Sequence, residues 1–335
     1  MSGDGADAAR GDRQMSLAKQ ALASPPLTSS KTPYVDVLFM QARILQRDGQ
    51  LAAAQATYKK VLKRRPNHFD AWHLLGVCEL LSRDYEEAAR SLKRAVLLDP
   101  ESVAARSDLG VSLKALQRYD EALACFDCVI DLDSDFTNGH YNRGSLLLGM
   151  RRFDEALKSL DNAIAIDPHH ANALINRAAV LINLGKFADA IVSCDRAIAM
   201  DPACCDAFLK RGLAALHLKR TREAEADFQH ALALRPDRAD VLALLGGCLE
   251  LKGDGEAALA CFDRALAIEP DLEMALSGRI FTLDFSQSCD FAAHQAARCE
   301  WWRRIGAKIA AERPLLYDND FSPDRRIVVG YVSAD

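Results

Sequence analysis

Prolines recur along the chain on a grid of 34 residues, and this regularity constrains the fold more than any other feature of the sequence. Ser134 occupies the one place of the series that lacks a proline. Proline has no backbone N–H and disfavours helical geometry in the residue before it, so each proline predicts the end of a helix. A fixed period of this length predicts repetition of one supersecondary unit. The series is Pro66, Pro100, Pro168, Pro202, Pro236 and Pro270.

Small and bulky residues recur in the same register. When the proline is numbered place 32 of each unit, place 20 is always alanine, place 8 is glycine or alanine, and place 24 is mostly large. Small residues at places 8 and 20 allow the two helices of a unit to approach closely, while the large residue fills the space between units. The columns predict helices at about places 1–14 and 17–29. Place 8 holds Gly76, Gly110, Gly144, Ala178, Gly212 and Gly246.

These columns resemble the signature of the tetratricopeptide repeat. The resemblance implies an all-α, right-handed solenoid of helix-turn-helix repeats that serves as a protein-binding scaffold. A solenoid exposes an apolar face at its end, so a capping helix is expected after the last repeat. The predicted segments are a disordered tail (1–33), seven repeats (34–270), a degenerate repeat with a capping or linker helix (271–314), and a linker with the first strand of another domain (315–335).

The last residues differ from the repeats. The run from Arg325 to Asp335 is rich in β-branched residues and predicts a buried strand. A lone strand would leave its backbone N–H and C=O groups unpaired. We therefore interpret this segment as the first strand of an α/β domain. A strand that pairs with a partner, or a disordered end, is the alternative.

Together with the repeats, this segment resembles bacterial members of the O-linked N-acetylglucosamine transferase family. The resemblance implies a UDP-sugar-dependent protein O-glycosyltransferase whose repeats recognise the substrate and whose catalytic residues lie beyond Asp335. No catalytic residue, cofactor or metal is therefore expected within this chain, and whether it belongs to an enzyme stays open. The matching residues are Gly330, Tyr331, Val332, Ser333 and Asp335.

The first helix of each repeat is expected to line a concave face. The transferase resemblance implies an asparagine ladder there that holds the substrate backbone, and Asn142 and Asn176 at place 6 fit it. An asparagine amide both donates and accepts, so it can pair with a peptide backbone whatever its side chains. The alternative is a set of solvated polar residues on a helix surface. The candidate binding residues are Asn142, Asn176, Asp108, Asn138, Asn172, Tyr141 and Lys210.

Composition argues against several other functions. A net charge of −5 disfavours a general nucleic-acid binder, and the chain lacks an apolar run long enough to span a membrane. The ten cysteines occur without a signal peptide, which predicts reduced thiols in a cytoplasmic protein. Cys125 and Cys128 form a C-x-x-C without the second pair that a zinc site needs.

Two functions remain open at this point. The chain is either a stand-alone adaptor that organises a protein complex or the recognition arm of the glycosyltransferase. Both predict a protein or extended peptide as the partner, and the family resemblance is compatible with a homodimer. A carboxylate-clamp chaperone cofactor is disfavoured because place 9 never holds asparagine.

Overall fold

Paired helices repeat along the chain in the computed structural model, which describes residues 34–285 and 291–312. The first helices are α1 (Tyr34–Arg47), α3 (Phe69–Leu81), α5 (Val103–Ala115), α7 (Thr137–Gly149), α9 (Ala171–Asn183), α11 (Cys205–His217), α13 (Ala239–Leu251) and α15 (Glu273–Asp284). The second helices are α2 (Leu51–Arg64), α4 (Tyr85–Leu98), α6 (Tyr119–Leu132), α8 (Phe153–Ile166), α10 (Phe187–Met200), α12 (Thr221–Leu234) and α14 (Gly255–Ile268). The predicted all-α helix-turn-helix fold is confirmed.

Parts of the predicted organisation lie outside these residues. The tail (1–33) and the C-terminal segment (315–335) with its strand are not among the described residues. After α15 the described chain continues with α16 (Phe291–Trp301), a π-helical turn (Trp302–Gly306) and α17 (Ala307–Glu312). The division into domains stays a prediction.

The contacts divide the chain into two compact parts between Pro236 and Asp237. In the N-terminal part, each second helix packs on its own first helix, and α2, α4, α6, α8 and α10 also pack on the first helix of the next repeat. Consecutive first helices from α3 to α11 also contact one another. Consecutive second helices of the described repeats make fewer such contacts. The first helices therefore line the inner face of this part, and the second helices form its outer face. In the C-terminal part, Arg279 on α15 forms ion pairs of 3.0 Å with Asp263 on α14 and Glu300 on α16.

The turn between paired helices contains one residue in the left-handed region, always at place 15. In the repeat that holds α3, the N–H of Arg83 donates to the carbonyl of Leu80 (3.0 Å) and that of Asp84 to the carbonyl of Glu79 (2.9 Å). This pairing is a Schellman motif, which satisfies the last carbonyls of the first helix. Side chains are rare at such φ angles because Cβ meets the next carbonyl oxygen. The residues are Gly49, Arg83, Gln117, Arg151, Gly185, Lys219 and Gly253, with φ from 60° to 82°.

The bulky residue at place 24 packs directly on place 8 of its own repeat. A Cβ added to Gly110 would lie 2.5 Å from Cε1 of Phe126, so no side chain fits there without movement. The one later repeat with Ala178 at place 8 has the smaller Cys194 at place 24, and both are fully buried. In the repeats with glycine at place 8, the bulky residue therefore also packs tightly inside its own repeat.

Candidate functional site

Four candidate residues occupy one place on four consecutive first helices. Place 6 holds Asp108 on α5, Asn142 on α7, Asn176 on α9 and Lys210 on α11, and all four are half-buried. Because these helices contact their neighbours in sequence, the four side chains belong to one surface. The structure thus brings the predicted place-6 residues together in a row on the inner face.

The asparagine side chains of this surface are free to bind. Asn142 and Asn176, with Asn138 and Asn172 at place 2, make no side-chain hydrogen bond to any residue that the structure describes. All four are half-buried, and each stands on a helix whose backbone fixes its position. An amide held in place without an internal partner offers both a donor and an acceptor to an incoming chain.

Asp108 differs from the asparagines because its carboxylate already has a partner. Its Oδ2 lies 2.8 Å from Nε2 of His73, which links α3 to α5. A second link joins α5 to α7, where Nζ of Lys114 donates to Oγ of Ser145 at 2.8 Å. The inner face is therefore cross-linked over α3, α5 and α7, and the unpaired place-6 amides are confined to α7 and α9.

Tyr141 and Lys210 flank the asparagines. The ring of Tyr141 packs at a centroid distance of 4.8 Å on His170, whose Nδ1 accepts from the backbone N–H of Ala173 at 3.1 Å. Tyr141 therefore supports the capped start of α9. Lys210 forms no ion pair within the described part of the chain and supplies a positive charge at the far end of the row.

Arginines at place 7 brace the repeats on the opposite side, a feature that the sequence interpretation missed. Arg177 on α9 donates through Nε to Oδ1 of Asp161 on α8 (2.6 Å) and through an Nη atom to Oγ of Ser193 on α10 (2.7 Å). Arg143 makes the same pair of contacts with Asp127 and Ser159. Each arginine thus ties two consecutive second helices to the first helix between them.

A stronger version of this brace occurs on α11. Arg211 binds Asp195 of the preceding repeat and, in a bidentate contact, Asp227 of its own repeat at 2.6 and 3.0 Å. The hydrogen bonds that Arg211 donates to Asp227, and then to Asp195, raise its pKa above the ordinary value. The guanidinium therefore stays charged at any pH at which the protein folds.

The sequence contains a signal for these braces. Aspartate stands at place 25 where the next repeat has arginine at place 7, as in Asp161 before Arg177. Lysine or glutamine stands there where the next repeat has leucine, as in Lys59 before Leu75 and Gln229 before Leu245. The pairs are found by comparing place 25 of one repeat with place 7 of the next. They are not found by comparing one place across all repeats. The aspartates are Asp127, Asp161, Asp195 and Asp263, followed by Arg143, Arg177, Arg211 and Arg279.

The described cysteines are free thiols, and burial raises the pKa of Cys125 in the C-x-x-C to about 11, so it is protonated near neutral pH. Over 34–285 and 291–312, no group of three or more His, Cys, Asp or Glu side chains is placed to hold a metal ion. Nor does any helix in these ranges have the length and apolar character needed to cross a membrane.

Solved structures share this architecture. A chain of the APC/C hetero-tetramer Cut9–Hcn1 matches with a TM-score of 0.61 at 19% identity, covering 74% of this chain and 52% of that chain. A tetratricopeptide repeat protein from Parabacteroides merdae ATCC 43184 matches with a TM-score of 0.60 at 15% identity, covering 74% and 98%. The type IV pilus biogenesis factor PilW matches with a TM-score of 0.58 at 22% identity, covering 62% and 97%. At these identities the likeness shows the fold alone.

Sequence comparisons identify the family. The peroxisomal targeting signal receptor of Yarrowia lipolytica (strain CLIB 122 / E 150) is 28% identical over 69 residues, so the match spans 21% of this chain and 12% of the receptor. One family model described as tetratricopeptide repeat matches residues 39–96 and 141–203. A second model with the same description matches 79–138 and 215–277, and the matches together span more than half of the chain. The chain belongs to the tetratricopeptide repeat family.

Proposed function

We propose that this chain is a protein-binding scaffold whose inner face holds an extended polypeptide. The observation that carries the proposal is the pair Asn142 and Asn176, whose half-buried amides lack internal partners on neighbouring first helices. The curated relative is named as a receptor for a targeting signal, which supports protein recognition by this kind of repeat.

The spacing of the asparagines suits backbone recognition. Packed helices lie about 8–10 Å apart, and an extended chain advances about 3.3 Å per residue. Each repeat therefore spans about three residues of a bound peptide. Amides at that interval can pair with the N–H and C=O groups of the peptide without selecting its side chains. Binding of this kind is tolerant of sequence.

Fluorescence anisotropy with labelled unstructured peptides tests the groove. Replacing both Asn142 and Asn176 by alanine removes two sets of backbone hydrogen bonds worth about 1 kcal/mol each, so we expect about a tenfold or larger loss of affinity. Asn162→Ala is the matched control because that residue is exposed on the outer helix α8. Equal affinity of the double variant and the control would refute the groove as the binding site.

We further propose that the bound polypeptide is the substrate of a UDP-sugar-dependent protein O-glycosyltransferase, with this chain as its recognition arm. The proposal rests on the resemblance at Gly330–Val332, Ser333 and Asp335, residues outside the described part of the chain. The stand-alone adaptor is the second candidate. A cytoplasmic location and the formation of a homodimer belong to the same proposal, and the free thiols of the described cysteines support the cytoplasmic location.

Calorimetric titration of UDP-N-acetylglucosamine into the full product of the gene distinguishes the two candidates. Saturable binding, together with sugar transfer to a peptide that occupies the groove, supports the recognition arm. A full gene product that binds the groove peptide but not the UDP-sugar would instead be an adaptor.

A further inference from the structure

The outer face of the first two repeats contains a cavity of about 600 Å³. It lies between the second helices α2 and α4, with α3 as its floor. This site is distinct from the inner-face groove, and nothing in the proposed function uses it.

The cavity occupies the position of a missing brace. Its lining includes Leu75 at place 7, Ser91 at place 23 and Lys59 at place 25 of the preceding repeat. The same three places carry Arg177, Ser193 and Asp161 three repeats later, where the arginine fills the space. With leucine instead of arginine and lysine instead of aspartate, the space is open and the charge beside it is reversed.

Cations surround an apolar floor at this site. Lys59, Lys63, Arg90 and Arg94 line the cavity and outnumber its two carboxylates, Glu79 and Glu87. Leu62 and Trp72 are among its apolar residues. Helix α2 contains no acidic residue, although the chain as a whole is acidic. Arg90 pairs with Glu87, but the side chain of Lys59 is 58% exposed and its ion pair is long, at 3.6 Å.

A buried carboxylate holds Lys59 at the cavity. Glu79 at place 11 of α3 is only 2% exposed, accepts a hydrogen bond from Oγ of Ser91 at 2.7 Å, and attracts Nζ of Lys59. The next three repeats have leucine at this place. Since Glu79 is too buried to contact a partner itself, its effect is to position the lysine and the serine that line the cavity.

We propose that this cavity is a docking site for an acidic peptide segment that inserts an apolar side chain. The apolar floor fits a leucine-sized group, and the surrounding cations fit carboxylates on either side of it. The inference does not depend on the inner-face groove, since the two sites share no residue.

A double substitution taken from the later repeats closes the cavity. Lys59→Asp with Leu75→Arg recreates the brace, because Ser91 already stands at place 23 to accept the new arginine. Lys63→Glu with Arg94→Glu reverses the charge and leaves the cavity open. Lys158→Gln on the exposed face of α8 is the control, since it changes the net charge by the same single unit as the first variant.

The probe is a fluorescein-labelled peptide of glutamates around a central leucine, measured by anisotropy against the same peptide with glutamines. We expect the glutamate peptide to bind the wild-type protein, about tenfold weaker binding to each double variant, and weaker binding with added salt. Circular dichroism melts confirm that the variants fold. Equal binding of the glutamine peptide, unchanged binding by either double variant, or tighter binding of single-stranded RNA than of the peptide would each overturn the proposal.

Discussion

Replacing Glu79 by leucine is expected to stabilise the N-terminal repeats by about 1–3 kcal/mol. Glu79 is nearly inaccessible to solvent and stands where the next three repeats have leucine, at Leu113, Leu147 and Leu181. A buried carboxylate loses its hydration, and this loss is only partly compensated by its neighbours. The substitution therefore exchanges a costly buried charge for a side chain that the fold accommodates in adjacent repeats.

The magnitude follows from the contacts of the carboxylate. Desolvation costs a buried ion several kcal/mol, while the hydrogen bond from Ser91 recovers about 1.5–3 kcal/mol. Lys59 adds about 0–1 kcal/mol because its amine is exposed and 3.6 Å away. Burying leucine contributes about 1.5–3 kcal/mol. Ser91 need not lose its partner, because Ser159 and Ser193 at the same place donate to the carbonyl four residues earlier at 3.0 Å.

The gain should depend on pH. Burial raises the pKa of Glu79 above its ordinary value of 4.5, against smaller opposing effects of Ser91 and Lys59. The folded protein therefore binds the proton of Glu79 more tightly than the unfolded chain does. The wild type loses stability as pH rises from the pKa of Glu79 in the unfolded chain to its higher pKa in the folded protein. Above that interval the loss remains constant. Since leucine does not titrate, the advantage of the variant should grow from pH 4 to pH 7.

Hydrogen exchange measured by mass spectrometry over α3 and α4 is the appropriate assay, because repeat arrays unfold in parts. A gain of about 1.4 kcal/mol slows exchange there about tenfold. Glu79→Gln removes the charge but keeps the shape of the side chain, so it measures the effect of the charge alone. Glu87→Gln on the exposed surface is the control. Faster exchange in Glu79→Leu, or an advantage that does not change with pH, would refute the reasoning.

Three further predictions concern the repeat architecture. Arg151→Gly should stabilise the protein by about 0.5–1 kcal/mol because φ is 60° there, whereas Gly185→Ala at 72° should destabilise it by about 1 kcal/mol. A loss of stability in Arg151→Gly, or a gain in Gly185→Ala, measured by urea denaturation would contradict the turn geometry. Gly110→Ala should cost about 1–3 kcal/mol by overpacking, and an unchanged melt would show that the neighbouring ring can move. Arg177→Ala should cost about 1–2 kcal/mol, because it removes an ion pair with the exposed Asp161 and the hydrogen bond to Ser193. Arg152→Ala, which removes an exposed pair within one repeat, is the smaller control, and equal melts would disprove the brace.

Periodicity was sufficient to predict the helices but not the contacts between repeats. The columns at places 8, 20 and 24 predicted two helices per repeat because close packing restricts volume at every copy. The left-handed turn at place 15 could not be found from residue type, since Arg83 and Lys219 adopt it as well as glycine does. Tertiary packing overrides the local preference there.

The candidate site was predicted in part. The places on the inner face followed from the repeat register, but whether an amide is free depends on neighbours that a single column does not show. Asp108 and Asn142 share place 6, yet only the former has a side chain of an adjacent helix, His73, within hydrogen-bond distance. Whether the place-6 side chain is paired depends on residues of the neighbouring repeat, such as His73. The prediction of an asparagine ladder considered place 6 alone.

The braces connect the two faces of the N-terminal part. Arg143 and Arg177 stand one residue after Asn142 and Asn176, so the same helices carry the free amides inward and the guanidinium groups outward. Each brace fixes a first helix against both neighbouring second helices, and this limits the bending that would change the spacing of the amides. A groove that is already spaced for an extended chain loses less entropy on binding. Where the brace is absent, at Leu75, the outer face opens into the basic cavity instead. At Leu75, leucine at place 7 therefore leaves the outer face open, whereas Arg143 and Arg177 tie the first helices that carry Asn142 and Asn176 to their neighbours.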